Sequence, residues 1–319
     1  MSPPVATTAA PAETALTSTQ LQLTRFPVAV RLASYLELAK PRIAVMVLIA
    51  MGVGYTLGAA DGWLLWPLLN TGLGVLFAVV ASSAFNQAIE AGTDARMFRT
   101  QDRPIPLGRL SVREVSTFAG ACAVFSVAYL AITVNVPTAL LTAGTIAVYA
   151  GVYTPLKKYT TICTAMGAIP GAAPPVIGWV AAGGSLNLSA FSLFAILFVW
   201  QFPHFLAIAW MYKDEYLGAG LKMLPGAGRL GIVGPISLAY ALVLIPVSLL
   251  PHRYGLASDF YAGVALSLGA VYAYAAFRFA CEETRTSARW VLFASLVYLP
   301  GVLLAMMCDH FRLLNLLIS

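Results

Sequence analysis

LLWPLLNTGLGVLFAVVASSAFNQAIEAGTDARMFRTQDRP, residues 64–104, decides the class of fold. Its first part, 64–85, carries no charge, and a helix of that length rises about 33 Å, enough to cross the hydrocarbon of a bilayer. Where the apolar run stops, Asn86, Glu90 and Asp94 follow at intervals of four. An i, i+4, i+8 set drifts only about 80° around a helix, so the three oxygen-bearing side chains share one face. Such a face suits a hard cation such as Mg²⁺. Arg96, Arg99 and Arg103 come next, and guanidinium forks suit phosphate. A cation beside arginines at a membrane surface reads as a site for a diphosphate, expected at the hydrated inner end of its helix. The plain alternative is a solvated charged loop between two spans. The four-residue spacing and the leading Asn argue against it.

The rest of the chain agrees on a membrane. Of 319 residues, 60% are hydrophobic and 10% charged, which excludes a soluble domain. The sequence predicts an all-α, polytopic membrane protein with nine spans, near 43–60, 64–85, 115–134, 137–154, 162–182, 189–211, 231–250, 257–279 and 288–308. Turn signals separate them at Asp61-Gly62, Asn135-Val136-Pro137, Gly183-Gly184-Ser185 and Pro251-His252. All but two of the 19 Lys and Arg, Arg253 and Arg312, then fall on one side. By the positive-inside rule that side is cytoplasmic, with loops at 86–114, 155–161, 212–230 and 280–288 and the N-terminus inside. The net charge of +6 comes from this loop bias, so no nucleic-acid partner is expected. Residues 1–30, rich in Ala, Thr, Ser and Pro, read as a disordered tail, and 31–319 as one membrane domain. Cys122, Cys163, Cys281 and Cys308 lack paired spacing and read as packing residues without metal or disulfide.

A second charged cluster follows the sixth span in HFLAIAWMYKDEYLGAGLKML. Asp214 and Glu215 stand between Lys213 and Lys222, and His204 lies upstream. Each cluster closes on a Pro/Gly segment, 103–110 and 224–230, a hint of internal duplication. Two acidic clusters facing each other are able to hold Mg²⁺ and clamp a diphosphate leaving group. Between them, YTPLKK places Tyr153, Lys157 and Lys158 at the inner end of the fourth span, with Pro155 turning Lys157 toward the bundle. Lys157 reads equally as a diphosphate cation or a topology anchor. His204, after Pro203, reads as a packing residue or as a haem ligand or proton carrier. GAIPGAAPPVIG, 167–178, implies a bent helix closely packed on its neighbours.

Taken together, NxxxExxxD, RTxxRP, YTPLKK, GAxPPxxGW and WQxPHFLAxAWxxKDEY resemble the UbiA-type intramembrane prenyltransferases. The resemblance runs from Tyr35 to the ninth span. PGAAPPVIGW and WQFPHFLAIAW narrow it to the members that farnesylate haem. Glu90 stands where the family usually has Asp, and the second motif keeps only Asp214 and Glu215 as acids. The resemblance implies nine helices around a central cavity in a bacterial inner membrane, with the site cytoplasmic. It implies farnesyl diphosphate and haem B as substrates, Mg²⁺ as cofactor and haem O as product, with a haem A synthase as a partner. Asn86, Glu90, Asp94, Asp214 and Glu215 would hold metal. Arg99, Arg103, Tyr153, Lys157, Lys158, His204 and Lys213 would meet substrate. A quinone-type member of the family and a secondary transporter are the rival readings. Transporters place charge near the midplane, whereas these acids lie at one surface.

Overall fold

The computed structural model describes residues 26–318, apart from 60, 61, 63 and 225–230. Among the described residues eleven helices follow one another: α1 (Val28–Leu38), α2 (Pro41–Gly58), α3 (Leu65–Asp94), α4 (Val112–Thr133), α5 (Val136–Leu156), α6 (Cys163–Ala181), α7 (Leu188–Met211), α8 (Lys213–Gly218), α9 (Val233–Arg253), α10 (Asp259–Cys281) and α11 (Arg285–Ile318). Most of the sequence-predicted tail and the segment 225–230 lie outside the described residues, as does Asp61 of the first turn signal.

Among the described residues, eight helices are long and apolar enough to cross a membrane, one fewer than the sequence reading expects. The missing one is α6. It is a continuous 19-residue helix at the place expected for the fifth span, its apolar run interrupted by Pro170, Pro174 and Pro175. Two further boundaries differ. Helix begins at Val28, inside the predicted tail. The second span does not end at 85; α3 continues to Asp94, so the acidic cluster is helical and its loop starts at Ala95.

Local chemistry sets the helix starts. Ser111 Oγ accepts from Glu114 N at 3.1 Å, Asn135 Oδ1 from Thr138 N at 2.8 Å, and Asn187 Oδ1 from Ala190 N at 3.0 Å. Each satisfies one orphan N–H of a first turn. Asp309, fully buried, accepts from the backbone and hydroxyl of Ser258 at the start of α10.

The helices pack as neighbours, α3 with α4, α2 with α6, α6 with α7, α9 with α10 and α10 with α11. The main core is built largely from α7, α9, α10 and α11, around Tyr261, Tyr272, Tyr298 and Phe279. Many outward positions carry large apolar side chains, among them Val124, Ile132, Trp290 and Leu304. That surface suits lipid. The close packing expected of GAIPGAAPPVIG is found. A Cβ on Gly54 would collide with the Pro175 carbonyl, and one on Gly178 with the Met51 carbonyl. Glycine therefore lets the backbones of α2 and α6 touch. Cys122 and Cys163 are buried as packing residues; Cys281 and Cys308 are exposed.

Candidate active site

A cavity of about 350 Å³ opens where α2 begins and α3 ends, bounded by α5, α6, α7 and α8. Asn86, Glu90 and Asp94 all line it. Contrary to a hydrated surface, they are almost fully buried, at 2%, 6% and 1% exposure. Continuing α3 past the apolar run is what carries the cluster inward. Asn86 Nδ2 donates to Glu90 Oε2 at 2.9 Å and to Thr154 Oγ1 at 3.3 Å. Lys157 Nζ stands 2.8 Å from Glu90 Oε1, and Arg103 Nη1 2.6 Å from Asp94 Oδ2. Buried carboxylates need such partners, since an unpaired charge out of water is costly. One acceptor has none: Asp94 Oδ1 is buried without a hydrogen bond among the described residues.

The α5 helix delivers the opposite wall. Its last turns widen into a π-helix over Val148–Tyr153, just before Pro155. The Tyr149 carbonyl accepts both the Thr154 backbone N–H and, at 2.8 Å, Thr154 Oγ1, which fixes this wide turn. Tyr149, Tyr153 and Lys157 consequently all face the cavity. The Lys157 ammonium lies 4.5 Å from the Tyr153 ring centre. Gly167 makes room for that ring, because a Cβ there would sit 2.6 Å from Tyr153 Cε2. Burial alone would push Lys157 down. Tyr153 and Glu90 beside it outweigh that and hold the ammonium above the usual lysine range.

The loop after α3 ties the first cluster to the second. Arg99 lines the cavity, with its guanidinium carbon 4.8 Å from the Tyr212 ring centre and 5.4 Å from that of Tyr216. Its Nη2 donates to Tyr216 Oη at 2.9 Å, and its backbone N–H to Glu215 Oε2 at 3.2 Å. The loop after α3 and the segment 212–216 touch, but neither Asp214 nor Glu215 lines the cavity. The contact runs through an arginine on two tyrosines, not through two sets of carboxylates.

Several predicted residues stand elsewhere. Asp214 is exposed on the first turn of α8, outside the cavity lining. Lys158 is exposed as well. His204 also misses the cavity: its Nδ1 is 2.7 Å from Ser295 Oγ on α11, and its ring stacks on Trp200 at 5.0 Å. One residue along, Phe205 lines the cavity instead, together with Ile43, Ile208, Ala209 and Met223. The chamber is thus charged along α3 and α5 and apolar along α7.

Lys40 lines the cavity too, and the sequence reading counted it only as a topology charge. It has φ 46° and ψ 65°, the one non-glycine residue at positive φ among those described. A left-handed lysine is strained, and such strain collects at functional positions. Burial, then Arg103 and Lys157, push its ammonium down to about 8. Arg103 and Lys157 pair with carboxylates; Lys40 forms no ion pair among the described residues. The only signal in the sequence was Lys40-Pro41 itself, since the residue before proline is restricted.

Known proteins accord with this arrangement. A model of the UbiA prenyltransferase family matches residues 45–297. A protoheme IX farnesyltransferase of Solibacter usitatus is 41% identical over 292 residues, covering 86% of this chain and 98% of its own. The solved structure of a digeranylgeranylglyceryl phosphate synthase superposes with a TM-score of 0.75 at 16% identity, over 88% of this chain and 99% of that one. A UbiA homologue from Archaeoglobus fulgidus, bound to DMAPP and Mg²⁺, gives 0.62 at 17% identity, over 86% and 99%. Likeness at such identities speaks for the fold alone. Apolar spans, family match and near full-length relative together show that the chain belongs to the UbiA prenyltransferase family of multi-pass membrane enzymes.

Proposed function

We propose that the chain transfers the farnesyl group of farnesyl diphosphate to a vinyl group of haem B, giving haem O for haem–copper terminal oxidases. The observation that carries the donor half is the convergence of Asn86, Glu90 and Asp94 with Lys40, Arg99, Arg103 and Lys157 on one half-apolar cavity. The acceptor half rests on the name of the 41% identical relative. Seventeen-to-two segregation of basic residues supports a cytoplasmic site in a bacterial inner membrane.

The chain's own groups divide the work. Asn86, Glu90 and Asp94 are the residues to hold Mg²⁺: each offers oxygen, and Asp94 Oδ1 is a buried acceptor awaiting a partner. When bound, Mg²⁺ offsets the negative charge of the diphosphate and eases its departure. Lys40, Arg99, Arg103 and Lys157 orient the diphosphate and stabilise the charge that builds on it as the C–O bond breaks. Ile43, Phe205, Ile208 and Met223 receive the first isoprene unit and keep water from the allylic cation. Tyr149 and Tyr153 present ring faces to that cation. The haem vinyl group supplies the electron pair for the new C–C bond. Water then adds to the resulting haem-side cation and a proton leaves, which yields the hydroxyethylfarnesyl group.

The test is product mass after incubating purified protein with haem B, farnesyl diphosphate and Mg²⁺. A haem carrying farnesyl plus the elements of water is expected, lost on chelation of the metal. Unchanged haem beside a prenylated aromatic acid, supplied in parallel, would refute it in favour of a quinone-type transferase.

A further inference from the structure

A second cavity, about 470 Å³, lies beside the first on the same end of the bundle. The two share Tyr216 and Leu221 as a common wall. Its other sides come from the 159–161 loop, from α8 and from residues 220–224. The loops are pinned together, because Lys222 N donates to the Lys157 carbonyl at 2.7 Å and Leu221 N to the Tyr216 carbonyl at 2.8 Å. The lining holds two cations, Lys213 and Lys222, and among the described residues no carboxylate. Neither lysine forms an ion pair among those residues. Lys213 is held in place: its ammonium lies 4.3 Å from the Trp210 ring centre. Trp210 in turn donates to Glu283 at 3.2 Å and meets Phe279 edge-on at 5.8 Å. Tyr159, Thr160 and Thr161 complete the polar part of the lining.

This is a pocket for a ligand with two negative groups and an apolar body, next to the chamber that holds the allylic diphosphate. We infer that the Lys213–Lys222 cavity seats the two propionates of the acceptor porphyrin. The inference rests on haem B being the acceptor. Protohaem carries its vinyl groups on two pyrroles and its propionates on the other two. A porphyrin anchored by its carboxylates at Lys213 and Lys222 therefore directs its opposite edge away from them. Tyr216 and Leu221 line both cavities, so the edge opposite the propionates is the one that can reach the farnesyl chamber past them. The arrangement also explains why two cations stand at the membrane surface unpaired. Propionates remain in water-accessible surroundings while the macrocycle enters an apolar region.

The experiment compares haem B with its dimethyl ester on the wild type and on the Lys213→Gln/Lys222→Gln variant, in nonionic detergent without phospholipid. Binding is read from the haem absorbance and turnover separately from product. Wild type is expected to prefer the free acid about tenfold in Kd and in KM. The variant is expected to lose that preference, with the KM for farnesyl diphosphate unchanged. The ester's greater partition into micelles is common to both proteins and cancels. A variant that keeps the full preference, or one whose two KM values rise together, overturns the inference and returns the lysines to headgroup anchoring. Failure of the two readings is separable. Lysine-dependent preference in binding without any product refutes haem farnesylation and leaves the carboxylate site standing. Normal product with an unaltered preference does the reverse.

Discussion

Replacing Lys40 by glycine separates a substrate cation from a structural residue, because the two roles predict opposite effects. At φ 46° the lysine backbone is left-handed. That conformation costs an L side chain roughly 1–2 kcal/mol. Glycine removes the cost and gives back roughly 0.5–1 kcal/mol through its larger unfolded-state entropy. Lys40 forms no ion pair among the described residues, so little else opposes the change. Lys40→Gly is therefore expected to be neutral to about 1.5 kcal/mol more stable, which is a few degrees in Tm. Lys40 lines, however, the cavity proposed to take the diphosphate, with Arg103 and Lys157. Losing a charge contact of that kind costs on the order of 10²-fold in rate. Lys40→Ala should lose the same activity without the stability gain, and Lys40→Arg should keep most of it. The assays are thermal unfolding in detergent and kcat/KM for farnesyl diphosphate at saturating haem B. Lys40→Gly with a lowered Tm and turnover within a factor of about two of wild type would refute the argument, leaving Lys40 as the start of α2.

Four further outcomes are expected. Lys40, pushed down to about 8, loses charge as pH rises through that value, so the KM for farnesyl diphosphate should climb above about pH 8 and stay flat in Lys40→Arg. Asp94→Asn should lose turnover by about 10²-fold or more. It should also lower Tm, since it leaves Arg103 facing a buried neutral group, at a cost of roughly 1–3 kcal/mol; unchanged turnover at limiting Mg²⁺ would remove Asp94 from the site. Gly178→Ala should unfold the α2–α6 contact or abolish expression, whereas Gly144→Ala, with nothing within 4 Å of the added carbon, should be neutral or stabilising by about 0.5–1 kcal/mol in thermal unfolding. A single cysteine at exposed Gln101 should react with impermeant maleimide only from the cytoplasmic side and one at Arg253 only from the other, the reverse pattern being fatal to the orientation.

Much of this protein was legible before any fold was known. Spans, turns and the charge bias are local or compositional properties, because a bilayer demands long apolar helices and short connections. The shared face of Asn86, Glu90 and Asp94 was legible for the same reason: it follows from helix geometry alone. The turn signal Asn135-Val136-Pro137 was local too, and its Asn135 accepts from Thr138 N at the start of α5. What the sequence left open needed distant segments to meet. Only the tertiary structure pairs Glu90 with Lys157 and Asp94 with Arg103, and buries a cluster that a charged run would put in water. It sets Arg99 on Tyr212 and Tyr216 and packs His204 against buried Ser295 of α11 while Phe205 lines the cavity. It also exposes Asp214 and brings the strained Lys40 into the chamber. Periodicity ranks side chains by face on one helix; which face meets a cavity depends on how the other helices pack against it, and no single helix carries that information.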